Sequence, residues 1–184
     1  DASIDWAIGV MNEGNVVADF DSDLIGNGSH ADLKAVALSS GRQVQGIDTR
    51  VTNYGCNSIG NILQHGVILE KATLTFNGIG HIIKGAKGAD AQQESRVLML
   101  SDQARSDANP ILLIDENDVT AGHAASIGQV DPEDMYYLMS RGLDKATAER
   151  LVVRGFLGSV IVEIPVKEVR DEMIATIEEK LSKR

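Results

Sequence analysis

The sequence predicts a mostly β protein in which a β-solenoid is followed by a small helical domain. Residues 1 to about 128 contain short strand-like runs separated by Gly, Asn and Asp. Their apolar residues are mainly aliphatic and aromatic residues make up only 4% of the chain, which suits side chains stacked between solenoid turns. No long helical pattern separates the strands, which disfavours a doubly wound α/β sheet. A β-sandwich stays open as the alternative, because no strict short repeat is visible.

The predicted strands include those at 16–20, 33–38, 44–51, 62–69, 72–76, 96–100 and 111–114, and one that carries His123. The glycine-rich stretch 76–90, FNGIGHIIKGAKGAD, is predicted to form a corner of the solenoid. Gly78 and Gly80 lack the third glycine of a dinucleotide fingerprint, and no phosphate-binding GxxxxGK[ST] loop is present. The sequence therefore offers no sign of a nucleotide site.

The periodicity becomes helical at Asp131, a favourable N-cap followed by Pro132 at the first helical position. Glu133 and Asp134 complement the positive end of the helix dipole, and Gly142 is a typical helix end. The apolar face of this first helix consists of Met135, Leu138 and Met139. We accordingly predict two domains, a solenoid core at 1–128 and a helical domain at 131–184.

Two further helices are predicted, one from Asp144 to about Glu163 and one starting at Pro165. Their predicted buried faces are Ala148, Leu151, Val152 and Phe156 in the former, and Val166, Val169, Met173, Ile177 and Leu181 in the latter. Lys180, Lys183 and Arg184 lie where the last helix dipole favours cations. Gly155 and Gly158 each cost a helix about 1 kcal/mol relative to Ala. Either they allow close packing onto the solenoid or they admit the backbone of a partner.

Composition excludes several functional classes. With 27 acidic and 17 basic residues, the chain has a net charge of −10 and lacks the basic character that nucleic-acid binding requires. The longest apolar stretch, 151–164, is interrupted by Arg154 and Glu163 and is shorter than the roughly 20 residues of a membrane span. A single cysteine, Cys56, favours the reducing cytoplasm. Because the chain starts within a strand-like pattern and without Met, we expect its solenoid to be the C-terminal part of a longer one.

His123 is the most distinctive candidate for function, because small residues at 121–122 and 124–126 let another group approach its imidazole. The alternative is a strand-end imidazole bonded to neighbouring backbone. His30, His65 and His81 are expected to be loop histidines, partly exposed or hydrogen-bonded. No histidine is placed at the spacing of a closed zinc site.

Cys56 is expected to be a small buried side chain in a strand region rather than a reactive thiol. Asp115, Glu116 and Asp118 precede the His123 strand; they fit a solvated turn better than an acid–base pair for glycan cleavage. A β-solenoid enzyme, either an acyltransferase with a catalytic histidine or a polysaccharide lyase, is the alternative function.

The run 115–157, DENDVTAGHAASIGQVDPEDMYYLMSRGLDKATAERLVVRGFL, resembles the C-terminal signature of the SufB/SufD family, the scaffold proteins of the SUF iron–sulfur cluster assembly system. A Gly-His-Ala strand, an Asp-Pro-Glu helix start and a Tyr-Tyr-Leu-Met-Ser-Arg-Gly segment follow in order. The resemblance extends over about residues 70 to 165. It implies a right-handed parallel β-helix with a C-terminal helical domain.

The resemblance implies that SufB and SufD form a heterodimer through their β-helices and that the nascent cluster forms at their interface. There SufD offers a histidine at the position of His123, whereas SufB offers a cysteine and a glutamate. This chain has no cysteine in 103–110 and reads Gly-His-Ala at 122–124 instead of Glu-Ala. Both departures favour the SufD branch.

The resemblance therefore implies a non-enzymatic scaffold with no tightly bound cofactor. His123 is expected to bind an iron–sulfur cluster transiently, shared with SufB. The SufC ATPase is expected to dock on the helices, at Pro132, Met135, Tyr136, Met139, Arg141 and Gly155. Self-association of the isolated chain into a homodimer is a further expectation.

Overall fold

Residues 1–182, the part described by the computed structural model, form nine strands followed by three helices. The strands are β1 (Ser3–Val10), β2 (Val16–Leu24), β3 (His30–Ser39), β4 (Val44–Asn53), β5 (Ile59–Ile68), β6 (Thr73–Ile82), β7 (Asp90–Met99), β8 (Arg105–Ile114) and β9 (Thr120–Gln129). The helices are α1 (Pro132–Ser140), α2 (Lys145–Ile161) and α3 (Lys167–Ser182). The predicted cations Lys183 and Arg184 lie outside the described residues.

The strands alternate between two parallel sheets, ordered β1-β3-β5-β7-β9 and β2-β4-β6-β8. The chain thus winds from one sheet to the other and back, as a β-solenoid of about four turns. His30 lies opposite Ile59, and Ile59 opposite Asp90, so successive turns are 29 and 31 residues long. The predicted solenoid is confirmed and the sandwich is wrong. The repeat is one whole turn, too long to show as a short motif.

One local prediction fails in the solenoid. The predicted corner at 76–90 is wrong in its first half, because β6 continues to Ile82. Gly78 and Gly80 lie within this strand, where they make room for side chains inside the solenoid. A Cβ at Gly78 would lie 2.7 Å from Oε1 of Gln93, and one at Gly80 would lie 3.1 Å from Leu112. Close packing, not a turn, requires these glycines.

Side-chain amides link successive turns on the outer faces of both sheets. Asn61 donates to Asp32 at 2.8 Å on one face. On the other, Asn77 donates to Asp48 at 2.6 Å and accepts from Asn109 at 2.9 Å. Each pair occupies matching register positions on neighbouring strands. These ladders hold the turns in register.

The turns between the sheets stack as well. Gly28, Asn57 and Gly88 have φ values of 64°, 54° and 70°, and each donates its backbone N–H to the next turn of the solenoid. Cys56 lies in one of these turns, half-buried, with its Sγ 3.4 Å from the backbone oxygen of Gly85. The prediction of a buried strand cysteine is therefore wrong, because this position belongs to the stacked turn.

Helix α1 begins as predicted: the carboxylate of Asp131 accepts a hydrogen bond from the backbone N–H of Glu133 at 2.8 Å. The chain leaves the helix through Gly142, with φ 95°. None of its nine residues is buried, so its apolar face stays uncovered. No helix within residues 1–182 has the length and apolar character needed to cross a membrane.

Helices α2 and α3 share one hydrophobic core with the solenoid. The buried members are Val36 and Leu38 from β3, Val67 from β5 and Leu69 just after it, Val153, Leu157, Val160 and Ile161 from α2, Ile164 between the two helices, and Met173, Ile177 and Leu181 from α3. The predicted stripe of the last helix is thus confirmed from Val169 onward, although the helix begins at Lys167 rather than Pro165 and Val166 is exposed.

The predicted face of α2 is only partly correct. Ala148 is buried and Phe156 packs against the core, as expected, but Leu151 is 50% exposed and Val153 is buried instead. The amphipathic pattern of α2 is weak because both of its sides carry aliphatic residues, so only the docked helix shows which side is covered. Strand β9 ends at Gln129 and α1 begins at Pro132, while the core continues across this point. A division into two domains at 128–131 stays a prediction.

Candidate functional site

His123 lies on β9, the last strand of the five-stranded sheet, and its register partner on β7 is Gln93. Matching positions of parallel neighbours point to the same side of a sheet. Since Gln93 is buried inside the solenoid, His123 lies on the inner side too. It is nevertheless exposed, because no further turn covers β9 within the described residues. The imidazole therefore occupies the open end of the solenoid.

Within residues 1–182, neither ring nitrogen of His123 has a hydrogen-bond partner. The alternative prediction, an imidazole hydrogen-bonded to neighbouring backbone, is therefore wrong. The described residues also contain no group of three or more His, Cys, Asp and Glu side chains arranged to hold a metal ion. Because iron–sulfur clusters are usually held by four protein ligands, a cluster bound at His123 would need further ligands from outside the described residues.

The small neighbours of His123 border an open groove of about 620 Å³. Its lining residues include Leu63, Gln92, Glu94, Gly122, Ala124 and Glu163. Glu163 follows α2, so the groove reaches from the His123 strand to the helical tail. The predicted accessibility of this strand agrees with the geometry, while a ligand role for His123 stays a prediction.

Strands β8 and β9 together form the C-terminal end of the described solenoid, which we call the open end, since each is the last strand of its sheet; β1 and β2 are the edge strands at the opposite end. The outer backbone edges of β8 and β9 have no neighbouring strand among the described residues. Apolar side chains accompany these edges: Ile111, Leu113, Ile114 and Ile127 are 41–44% exposed. An unpaired edge of this length, flanked by apolar residues, is a template for strand pairing with another chain.

Polar side chains lie inside the solenoid beneath the open end, a feature that the sequence analysis missed. Gln93 donates from Nε2 to the backbone oxygen of Ile111 at 2.8 Å and so ties the two sheets together. Gln64 accepts from Ser95 at 2.7 Å and donates to Thr49 at 3.1 Å. Alternation along 90–99 could have revealed Gln93 and Ser95 as inward residues.

The other histidines lie on strands, so their prediction as loop residues is wrong, whereas hydrogen bonding is confirmed. His30 lies 3.0 Å from Asp32, and His81 lies 3.1 Å from Asp115. His65 is buried between the solenoid and α2.

The carboxyl group of Asp32, the partner of His30, has a lowered pKa. Burial acts to raise this pKa, but hydrogen bonds from Asn61 and His30, with the charges of His30 and Lys34, hold it below its usual value.

The acidic turn before β9 clamps two neighbouring turns together. Glu116 is buried, contrary to the predicted solvated cluster, and accepts hydrogen bonds from the backbone of Asn117 at 2.9 Å and of Gly85 at 3.0 Å. These bonds, with Lys84 at 3.7 Å, lower the pKa of Glu116. The carboxylate is therefore engaged in holding the fold.

The uncovered face of α1 borders a groove of about 610 Å³ against residues 99–103 of the solenoid. Four of the predicted contact residues line it together: Pro132, Met135, Tyr136 and Met139. Arg141 lies outside the groove, stacked over the ring of Tyr137 at 5.1 Å. Gly155 belongs to α2 and does not line this groove.

Gly155 and Gly158 face open space, since a Cβ at either position would meet nothing within 4 Å. Close packing onto the solenoid is therefore not the reason for these glycines. Leu151 and Val162, 50% and 68% exposed, lie on the same side of α2 by helical spacing. We call this strip of Leu151, Gly155, Gly158 and Val162 the glycine face.

The family model for the SUF system FeS cluster assembly, SufBD core domain, matches residues 1–156. The chain belongs to the SufBD family. It is 51% identical, over 181 residues, to the iron–sulfur cluster assembly protein SufD of Bacillus subtilis, covering 98% of the chain and 41% of that relative.

Other relatives carry the same family description. The chain is 46% identical over 97 residues to an iron–sulfur cluster assembly SufBD family protein of Mycobacterium bovis, covering 52% of the chain and 24% of the relative. A Mycobacterium leprae protein of the family is 42% identical over 98 residues, with 53% and 25% covered. The chain thus spans less than half the length of these relatives, and the stretch matching SufD contains the solenoid, the open end and almost all of the helical tail.

Proposed function

We propose that this SufBD-family chain acts as the SufD-like scaffold subunit of an iron–sulfur assembly complex, pairing with SufB and docking the SufC ATPase. The observation that carries the proposal is the placement of His123. It is a single exposed imidazole without an intramolecular partner among the described residues, on an edge strand at the open end. The 51% identity to a SufD over 98% of the chain supports the same role.

The open end is the proposed contact with SufB. Its two unpaired strand edges and exposed isoleucines suit a second solenoid that also ends in bare edges. Pairing of the isolated chain with a second copy would use the same surface. In either assembly, His123 would be enclosed between the two scaffolds and reached only by cargo held there.

His123 would then be a transient ligand of the nascent iron–sulfur cluster, which is the cargo of the complex. A neutral imidazole with a free nitrogen binds iron. One ligand from this chain leaves the remainder to SufB, so separation of the two scaffolds would break the site and release the cluster. This arrangement suits transfer better than storage, and it leaves the chain itself without an enzymatic role.

The helical tail is the proposed docking surface for SufC. The α1 groove contributes Pro132, Met135, Tyr136 and Met139, and the glycine face of α2 offers a second apolar strip with room for a partner backbone. The negative net charge and the lone cysteine favour action in the cytoplasm. A β-solenoid enzyme that cleaves polysaccharides with the acidic turn is less well supported, because the buried Glu116 is committed to backbone hydrogen bonds.

The decisive test is cluster assembly by the reconstituted complex of the full-length protein with SufB and SufC. His123→Ala should abolish or strongly reduce the cluster absorbance, without changing the composition of the complex. His81→Ala is the matched control, because it removes a partly exposed histidine whose partner is Asp115. Unchanged assembly by His123→Ala would show that the ligand role is wrong.

Docking of SufC is better tested by point changes than by deleting the tail. Removal of residues 131–184 would uncover the core residues Val36, Leu38, Val67 and Leu69, so loss of SufC capture would not separate a lost docking surface from a disturbed solenoid. Met139→Asp, on an exposed residue of the α1 groove, should abolish capture of SufC while SufB is retained. Capture of SufC by this variant at the unaltered level would rule out the α1 groove as the docking site.

A further inference from the structure

His65 connects the helical tail to the solenoid through directed contacts. It lies on β5, with only 6% of its side chain exposed, beneath α2. Its ring stacks on Phe156 of α2 with centroids 4.9 Å apart and planes inclined by 19°. Nδ1 lies 3.2 Å from the backbone oxygen of Phe156, and Nε2 lies 3.3 Å from Oε1 of Glu94 on β7. One imidazole thus contacts a helix carbonyl and a strand carboxylate at once.

These polar contacts differ from the rest of the α2 interface. Val153, Leu157 and Val160 pack on β3 and β5 through aliphatic contacts, which hold the helix against the sheet without fixing its position along it. Hydrogen bonds and ring stacking depend on direction as well as distance. A small shift of α2 would therefore be felt first at His65.

The far side of this contact leads to the strand that carries His123. Glu94 is held by Arg96, whose Nε lies 2.9 Å from its Oε1. On the next strand, Glu94 is opposite Ala124 and Arg96 is opposite Ser126. Neighbouring strands lie about 4.8 Å apart. The Glu94–Arg96 ion pair therefore lies directly beside the segment of β9 that follows His123. The sequence of contacts runs from α2 through His65 and β7 to β9.

We propose that His65 is a positioning residue for His123, passing displacements of α2 to β9 through Glu94. This inference rests on the proposed function, in which an ATPase partner docks on the tail helices and moves them. Movement of the Phe156 carbonyl re-aims the His65 ring, which shifts Glu94 and Arg96 and with them the strand positions 124–126. The orientation of the cluster ligand at the open end then follows the state of the ATPase.

The link can be tested in this chain alone by nuclear magnetic resonance. His65→Phe keeps a flat ring against Phe156 but removes both polar contacts. We expect it to shift the ring signals of His123 and the amide signals of residues 124–126. His81→Phe, which removes a comparable histidine–carboxylate pair on the other sheet, should leave these signals in place. Unshifted His123 and β9 signals in His65→Phe would overturn the inference.

Hydrogen exchange in the assembled complex tests the transmission. Binding of the ATPase partner with a non-hydrolysable ATP analogue should change exchange in peptides of β9 in the unaltered protein. With His65→Phe, binding affinity should be unchanged and the β9 response lost. If β9 still responds in His65→Phe, the inference is contradicted. If the ATPase does not bind even the unaltered protein, the proposed function is contradicted instead. The nuclear magnetic resonance experiment then decides whether His65 is coupled to His123. Should His65→Phe not fold, His65→Gln takes its place.

Discussion

Gln93 and His123 occupy facing positions on β7 and β9, the glutamine 5% exposed and the histidine open to solvent. Both belong to the inner side of the same sheet, so their different burial arises only from the turn that covers one and not the other. Gln93 is held by Ile111 on the opposite sheet. The support beneath His123 therefore depends on the packing around one buried amide.

We expect Gly78→Ala to destabilise the solenoid. The added methyl group would lie 2.7 Å from Oε1 of Gln93. This side chain can move only by giving up its bond to Ile111, so we expect a loss of about 1–3 kcal/mol in the free energy of unfolding. Urea denaturation measures this loss. Gly46→Ala, within β4 and with nothing within 4 Å of the new Cβ, should be neutral or slightly stabilising; equal losses in both variants would contradict the packing explanation.

His65→Ala should reduce the free energy of unfolding by about 2 kcal/mol, because the change removes the ring stacked on Phe156 and the buried polar contacts of His65 with the Phe156 carbonyl and with Glu94. Chemical denaturation followed by circular dichroism provides the measurement. His81→Ala removes a histidine whose partner Asp115 is largely exposed and should change stability by less than about 0.5 kcal/mol. A His65→Ala variant as stable as His81→Ala would show that the buried contact contributes nothing.

Gly155→Ala and Gly158→Ala should stabilise the isolated chain while weakening SufC docking. Neither methyl group meets a neighbour within 4 Å, so each change should add about 1 kcal/mol to helix stability. The same methyl groups would obstruct a partner backbone on the glycine face, and we expect affinity for SufC to fall about tenfold or more. Thermal unfolding and titration calorimetry measure the two effects. Glu172→Ala, on the exposed side of α3, is the control; undiminished affinity in the glycine variants would remove α2 from the docking surface.

Asp144 should make the stability of α2 dependent on pH. Hydrogen bonds from Thr147, first from its backbone and then from its side chain, lower the pKa of this N-cap carboxyl below 3.8. A lowered folded-state pKa means that the stabilisation is complete above 3.8 and is lost as the pH falls through the lowered value. Asp144→Asn keeps a capping oxygen but does not titrate. The stability advantage of the unaltered protein over the Asp144→Asn variant should therefore vanish between neutral pH and about pH 2; a constant difference in urea midpoints would contradict this.

Much of the fold could be predicted because its signals are local. Alternating aliphatic residues and glycine-bearing turns predicted most strands, and the Asp131-Pro132 pair predicted the start of α1. The repeat escaped notice because its unit is a whole turn. It is visible once the turns are aligned, as Gly26 and Ser29 recur at Gly55 and Ser58 and make the same Ser Oγ to Gly oxygen bond.

The site was predictable in part. Small neighbours mark His123, but the sequence holds no sign that its strand is an edge, since that depends on how many turns follow. His65 resembles the other histidines in its local sequence and differs only in lying beneath α2. The buried side of α2 was mistaken at Leu151, which is exposed, because aliphatic residues on both sides of the helix satisfy a helical pattern equally well.

The sequence by itself determined the periodicities, the helix caps and the family to which this chain belongs, since each depends on residues close together along the chain. Tertiary structure alone decided which side of α2 is covered, why Gly78 and Gly80 are glycines, and which histidine is enclosed and which is free. These outcomes depend on residues that lie far apart in sequence and meet only when turns stack. His123 is open and His65 enclosed because the solenoid stops after β9 and the tail folds back over β5.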